Sequence, residues 1–159
     1  MVMVMKKFAC YLLVLLSFSL ASCQNGSNDS RFSDDDVNVQ PGTQEDLDTN
    51  VGNFVLFEFN EAKLTDDAVA TLNKQSDWLK AYPYINIVVW GLCDERGTRE
   101  YNLALGAKRA NSVKEYLVST GIKADRIATI SYGKERPVVL GSNPEAWRQN
   151  RRAAVIINN

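Results

Sequence analysis

Asp94 and Arg109 are the two residues whose types and spacing could do chemistry together. Asp94 stands in a loop, 91–99, rich in charge and glycine, that follows the apolar run Ile85-Asn86-Ile87-Val88-Val89-Trp90. Arg109 belongs to a helix read from about Glu100 to Ser119. At about 3.6 residues per turn, Asn102, Leu105 and Arg109 share one stripe of that helix. It lies beside a core face of Leu103, Gly106, Ala110, Val113 and Leu117. The stripe occupies the first two turns, next to the loop that leaves the strand. A carboxylate and a guanidinium could therefore flank one shallow pocket at the carboxyl end of a strand. Each residue alone has a plainer explanation, since a helical arginine is usually solvated and a loop aspartate often braces its own loop.

Catalysis is poorly served by the composition. The chain has no histidine, which removes the commonest general base and the commonest metal ligand. Cys93 is the only thiol beyond residue 52, so a zinc site or a Cys–His pair is excluded there. Paired carboxylates of the glycosidase kind stay open. Residues 53–159 carry 15 basic and 12 acidic side chains. That excess is too slight for nucleic acid, and no basic cluster interleaved with aromatics is present. Glu95, Arg96, Arg99 and Glu100 read as surface charges, and Trp78 and Trp147 as partly buried residues.

The elements that must position these residues follow from pattern. Phe54-Val55-Leu56-Phe57-Glu58-Phe59 reads as a buried strand. Thr65 can cap a helix with Asp66 and Asp67 in its first turn, and Val69, Leu72, Ser76 and Leu79 follow at helical spacing up to Tyr82-Pro83. The run 85–90 is a second strand ended by Gly91. The second helix closes at Gly121, and Ile127 to Tyr132 form a third strand. A loop through Pro137 and Gly141, a helical turn near Pro144–Asn150 and a last strand, Ala153–Ile157, complete the order. The predicted fold class is α+β: a βαβαβ(α)β sandwich with two main helices on one face of a four-stranded mixed sheet.

The amino-terminal residues read differently. Lys6 and Lys7, an apolar run from Phe8 to Leu20 and the small residues Ala21-Ser22 before Cys23 have the order of a secretory signal, residues 1–22. The run is shorter than the roughly 20 residues needed to span a bilayer. Leu20-Ala21-Ser22-Cys23 also resembles a bacterial lipobox, which implies cleavage before Cys23 and acylation of it. Gln24, where Asp would imply inner-membrane retention, implies the outer membrane. Cys10 leaves with the signal and Cys23 takes lipid, so Cys93 has no disulfide partner and reads as a small apolar filler. Residues 24–52 hold seven acids against Arg31 and few apolar side chains. They are expected to be a disordered tether, with the folded domain at 53–159.

Gly91-Leu92-Cys93-Asp94-Glu95-Arg96-Gly97-Thr98, then Tyr101-Asn102, Leu105-Gly106, Arg109-Ala110 and Val113 together resemble the signature of the OmpA-like C-terminal domain family. Further matches are Phe57-Glu58-Phe59-Asn60, Ser131-Tyr132-Gly133-Lys134-Glu135 with Pro137, and Asn150-Arg151-Arg152. With the lipobox and tether, the likeness narrows to that family's peptidoglycan-associated lipoproteins. It implies a non-enzymatic outer-membrane lipoprotein with its head in the periplasm, without cofactor or metal. The implied ligand is the diaminopimelate side chain of the peptidoglycan stem peptide, whose end is a zwitterion. Asp94 would accept from its ammonium, and Arg109 would offer a planar fork to its carboxylate. Asn60, Asn102 and Leu105 complete the implied ligand site, with Arg151, Gly97 and Thr98 in support. The family often has His or Tyr in place of Leu92 and Thr or Ala in place of Cys93; Leu92 can donate no side-chain hydrogen bond. The likeness also implies TolB and other Tol components as partners, in a system supporting envelope integrity and outer-membrane invagination at division. The alternatives are a periplasmic adaptor that binds TolB with weak or no wall binding, and a wall hydrolase.

Overall fold

A computed structural model describes residues 39–158 of the chain. The signal at 1–22, the lipidated Cys23 and the tether as far as residue 38 lie outside the described residues. The elements are α1 (Gln44–Asp46) running into a wider π-type turn (Leu47–Val51), β1 (Phe54–Leu56), α2 (Asp66–Ala81), β2 (Asn86–Leu92), α3 (Arg99–Ser119), a short 3-10 turn (Ala124–Arg126), β3 (Ile127–Gly133), α4 (Pro144–Asn150) and β4 (Arg152–Asn158).

The four strands form one mixed sheet in the order β1-β4-β2-β3. β2 and β3 are parallel, while β4 runs antiparallel to both β1 and β2. Placing the last strand between the first two closes the fold around its own terminus. α2 and α3 cover one face, and Leu72 and Leu79 of α2 meet Ala110, Val113 and Leu117 of α3 over Ile87, Val89, Ile127 and Val155. The predicted α+β architecture is the observed one. Thr65 caps α2 through its side chain, accepting from the Ala68 N–H at 3.2 Å.

Two glycines set how closely α3 approaches the sheet. A Cβ built on Gly91 would sit 1.8 Å from the Gly106 carbonyl oxygen, and one on Gly106 would sit 2.4 Å from Ser131 Oγ. Helix and sheet backbones therefore touch at this point, which any side chain would prevent. The contact brings the first turns of α3 against the ends of β2 and β3, where the loop carrying Asp94 begins.

The amino-terminal boundary of the domain differs from expectation. Residues 43–51, read as part of a disordered tether, are ordered and packed on the core. Thr43 caps α1 by accepting from the Asp46 N–H, and Leu47 is 0% exposed. Asp46 accepts from Trp78 Nε1 at 2.8 Å, the Gly42 N–H at 2.8 Å and Asn50 Nδ2 at 2.9 Å. Gln44 does a strand's work beyond the end of β1, because its Oε1 accepts from the Ile157 N–H at 2.8 Å. The physical reason is that two apolar residues, Leu47 and Val51, stand four apart and reach the core together, while their polar neighbours find partners within the protein.

Three smaller differences concern the site. The strand read as 54–59 ends at Leu56, and Phe59 is 59% exposed in the turn beyond it. β2 passes through Gly91 to Leu92, with an irregularity in its pairing to β3 at that step. On α3, Leu103 is 47% exposed, not part of the core face, whereas Asn102 and Arg109 are buried.

Candidate functional site at the carboxyl end of β2

A pocket of about 100 Å³ opens where β2 ends, lined by Phe59, Asn60, Cys93, Asp94, Arg96, Gly97, Tyr101, Asn102, Leu105, Arg109 and Arg151. Asp94, Arg109, Asn60, Asn102, Leu105, Arg151 and Gly97 are thus brought together as the sequence suggested. Thr98 is not in the lining. It is the N-cap of α3, its side chain accepting from the Tyr101 N–H at 3.2 Å.

The loop that carries Asp94 is fixed from several sides. Asp94 Oδ1 accepts from the Arg96 N–H at 3.1 Å, an Asx-type turn. Asn102 is buried and donates through Nδ2 to the carbonyls of Arg96 (2.8 Å) and Thr98 (3.0 Å). Lys134 Nζ donates to the carbonyls of Glu95 and Gly97. Gly97 takes φ 89°, a left-handed conformation that favours glycine. Asn60, at φ 60°, turns the chain on the opposite wall and accepts from the Tyr101 hydroxyl. Asparagine tolerates that region better than most residues.

Arg109 is 0% exposed. Its guanidinium donates to three main-chain carbonyls: Nε to Glu61 (2.8 Å), Nη1 to Leu92 (2.7 Å) and Nη2 to Glu58 (3.1 Å). The Phe57 ring lies 5.2 Å from its central carbon. Burial pulls the guanidinium below its ordinary pKa, yet an arginine remains charged in any protein. One side chain therefore ties the turn after β1 to the end of β2 and places a positive charge beneath the pocket.

Asp94 does not face Arg109 as its ion-pair partner. Its side chain, 5% exposed, is held in a fork by Arg96, with Nη2 to Oδ2 at 2.7 Å and Nε to Oδ1 at 3.1 Å. Arg151 Nη1 stands 3.6 Å from Oδ2 and Arg151 Nε donates to the Phe57 carbonyl at 3.0 Å, a buttressing geometry. Burial by itself would raise the Asp94 carboxyl. The Arg96 side chain and N–H, with the charges of Arg96 and Arg151, outweigh burial and hold it below its ordinary value. Burial also pushes the Cys93 thiol up, and its Sγ donates to the Asn102 carbonyl at 3.3 Å, consistent with a filler.

Residues 56–151 match the model of the OmpA family. The chain belongs to the OmpA family. It is 49% identical over 117 residues to the peptidoglycan-associated lipoprotein of Rhizobium meliloti, covering 74% of this chain and 66% of that protein. It is 39% identical over 152 residues to the lipoprotein of that name from Haemophilus influenzae, covering 95% of this chain and 99% of that one. The crystal structure of the peptidoglycan-associated lipoprotein from Burkholderia pseudomallei superposes with a TM-score of 0.65 at 40% identity, over 67% of this chain and 90% of that one.

In this OmpA-family domain, sequence reasoning passed over Arg96 and the two rings that hold it. Arg96, read as a surface charge, lies between Phe59 and Trp147, its central carbon 4.1 and 4.2 Å from the ring centroids. Trp147 Nε1 in turn donates to Glu95 Oε1 at 2.9 Å. Arg96 is two residues from Asp94, and that spacing was the available signal. The rings come from the turn after β1 and from α4, so local pattern could not find them.

Proposed function

We propose that the domain binds the zwitterionic end of the diaminopimelate side chain of the peptidoglycan stem peptide, without cleaving it. The observation that carries this reading is a pocket with one buried carboxylate on its wall and one buried guanidinium beneath it. At about 100 Å³ it suits the tip of a side chain, since pockets for whole drug-sized ligands run to roughly 300–1,000 Å³. Asp94 receives the ammonium, and the positive charge of Arg109 beneath the pocket attracts the carboxylate. Tyr101, Asn60 and Leu105 shape the wall.

The relatives' shared name, peptidoglycan-associated lipoprotein, supports a lipid anchor and attachment to the wall; the outer membrane and the Tol partners rest on the resemblance of the lipobox and motifs. The protein is an outer-membrane lipoprotein, anchored through lipid on Cys23 and gripping the cell wall with its periplasmic head. Within a Tol-Pal system it engages TolB and other Tol components, supporting envelope integrity and membrane invagination at division. The test is retention of the full-length protein on purified wall sacculi. Wild-type protein should sediment with them, and Asp94→Asn should lose at least nine-tenths of that retention. Undiminished retention of Asp94→Asn would remove the proposed site. Competition between soluble stem peptide and TolB would then show whether the two share a surface.

A further inference from the structure

The place that the proposal gives to a ligand's cation is taken by a side chain of the protein. Arg96 satisfies both oxygens of Asp94 and is stacked between Phe59 and Trp147. A carboxylate at the closed end of an aromatic sandwich is a receptor for a cation, and this chain fills it with its own guanidinium. Asp94 is 5% exposed while Arg96 is 35% exposed, so an incoming ammonium meets the arginine first.

We infer that Arg96 is an internal competitor, a latch that must leave Asp94 before a ligand ammonium can bind there. This rests on the zwitterion reading of the pocket and adds how the site is regulated. The latch is separable from the loop that carries it. The loop is held by the Arg96 main chain and by Asn102 and Lys134, none of which needs the Arg96 side chain. Ligands with one cationic centre and no carboxylate gain nothing from Arg109 to offset the displaced pair. The latch therefore sharpens selection for a zwitterion over a simple amine.

The apparent dissociation constant of a site rises in inverse proportion to the fraction of molecules that are open. A latch closed about nine-tenths of the time weakens binding roughly tenfold. Titration calorimetry of full-length protein in detergent, with a soluble diaminopimelate-containing tetrapeptide, reads this directly. Arg96→Gln should bind roughly tenfold more tightly than wild type, and Arg96→Lys, which keeps charge without the planar fork, should fall between them. Proton–nitrogen NMR adds a structural readout: the Arg96 Nε–H signal should be sharp in free protein and lost at ligand saturation. Equal or weaker binding by Arg96→Gln while wild type binds overturns the latch and leaves the pocket reading intact. An Arg96 Nε–H that survives saturation does the same. Failure of both wild type and Arg96→Gln to bind the peptide overturns the pocket reading and the latch with it.

Discussion

Replacing Arg109 with alanine is the obvious way to test a ligand contact, and the geometry says that it will chiefly test the fold. The side chain is 0% exposed and serves the carbonyls of Glu58, Glu61 and Leu92. Truncation strands the Glu61 and Leu92 carbonyls beside a new cavity, while that of Glu58 keeps the Glu61 N–H at 3.2 Å. A buried polar group left without its partner costs about 1–3 kcal/mol. Relief from holding a guanidinium out of water works in the opposite direction. The low end of that range for each of the two stranded carbonyls is therefore the fair choice, giving about 2 kcal/mol for Arg109→Ala.

Urea unfolding of the full-length protein in detergent, followed by circular dichroism, should show this as a midpoint lowered by about 0.7–2 M, for a slope of roughly 1–3 kcal/mol per molar. A domain of ordinary stability, about 5–15 kcal/mol, survives that loss in native buffer. Wall retention can then be measured on folded Arg109→Ala. Arg109→Lys, a point charge unable to present a planar fork to three acceptors, should recover less than half of the stability. An Arg109→Ala protein within about 0.5 kcal/mol of wild type would refute the pillar role, because surface substitutions fall in that range.

Leu47→Ala should cost about 3 kcal/mol, within the usual range of about 2–5 for emptying a core position, whereas exposed Thr49→Ala should change the urea midpoint little. Equal, small effects would return residues 43–51 to a disordered tether. Gly91→Ala forces a Cβ onto the Gly106 carbonyl and should destabilise by about 3 kcal/mol or more, read as a lowered melting temperature. Asp94 and Asp46 both hold their folded pKa below the ordinary value. Their contribution is therefore complete above the unfolded carboxylate value of about 3.9 and is lost as pH falls through the folded values. Urea midpoints should drop steeply below about pH 4, and the drop should be shallower in the Asp46→Asn, Asp94→Asn double variant.

The fold was legible because each element announced itself locally. Thr65 before Asp66 and Asp67, Gly121 after the second helix and Pro144 at the start of the short one all sit where capping chemistry wants them. What averaging concealed was the segment before residue 53. Its composition is that of a disordered chain, yet Thr43-x-x-Asp46 ahead of Leu47 has the spacing of a helix start, and Leu47 with Val51 makes one buried stripe. Two apolar residues suffice when their polar neighbours, Asp46 and Gln44, complete hydrogen bonds of α2 and β4. A composition argument counts residues and cannot see whom they meet.

The site was legible as a set and misread as a pair. Helical spacing brought Asn102, Leu105 and Arg109 to the loop of Asp94, and the pocket contains all four. Spacing could not show that Arg109 would be spent on carbonyls of the chain after β1 and at the end of β2, because those acceptors lie 17 to 51 residues away. Nor could it show that Asp94 would take the nearer arginine, since the grip of Arg96 depends on Phe59 and Trp147 from two other elements. The two charges of the clasp therefore have unequal standing. The positive one is built into the framework and is always present. The negative one is paired with Arg96, so on the zwitterion reading the anion end would have a fixed seat while the cation end would compete for one.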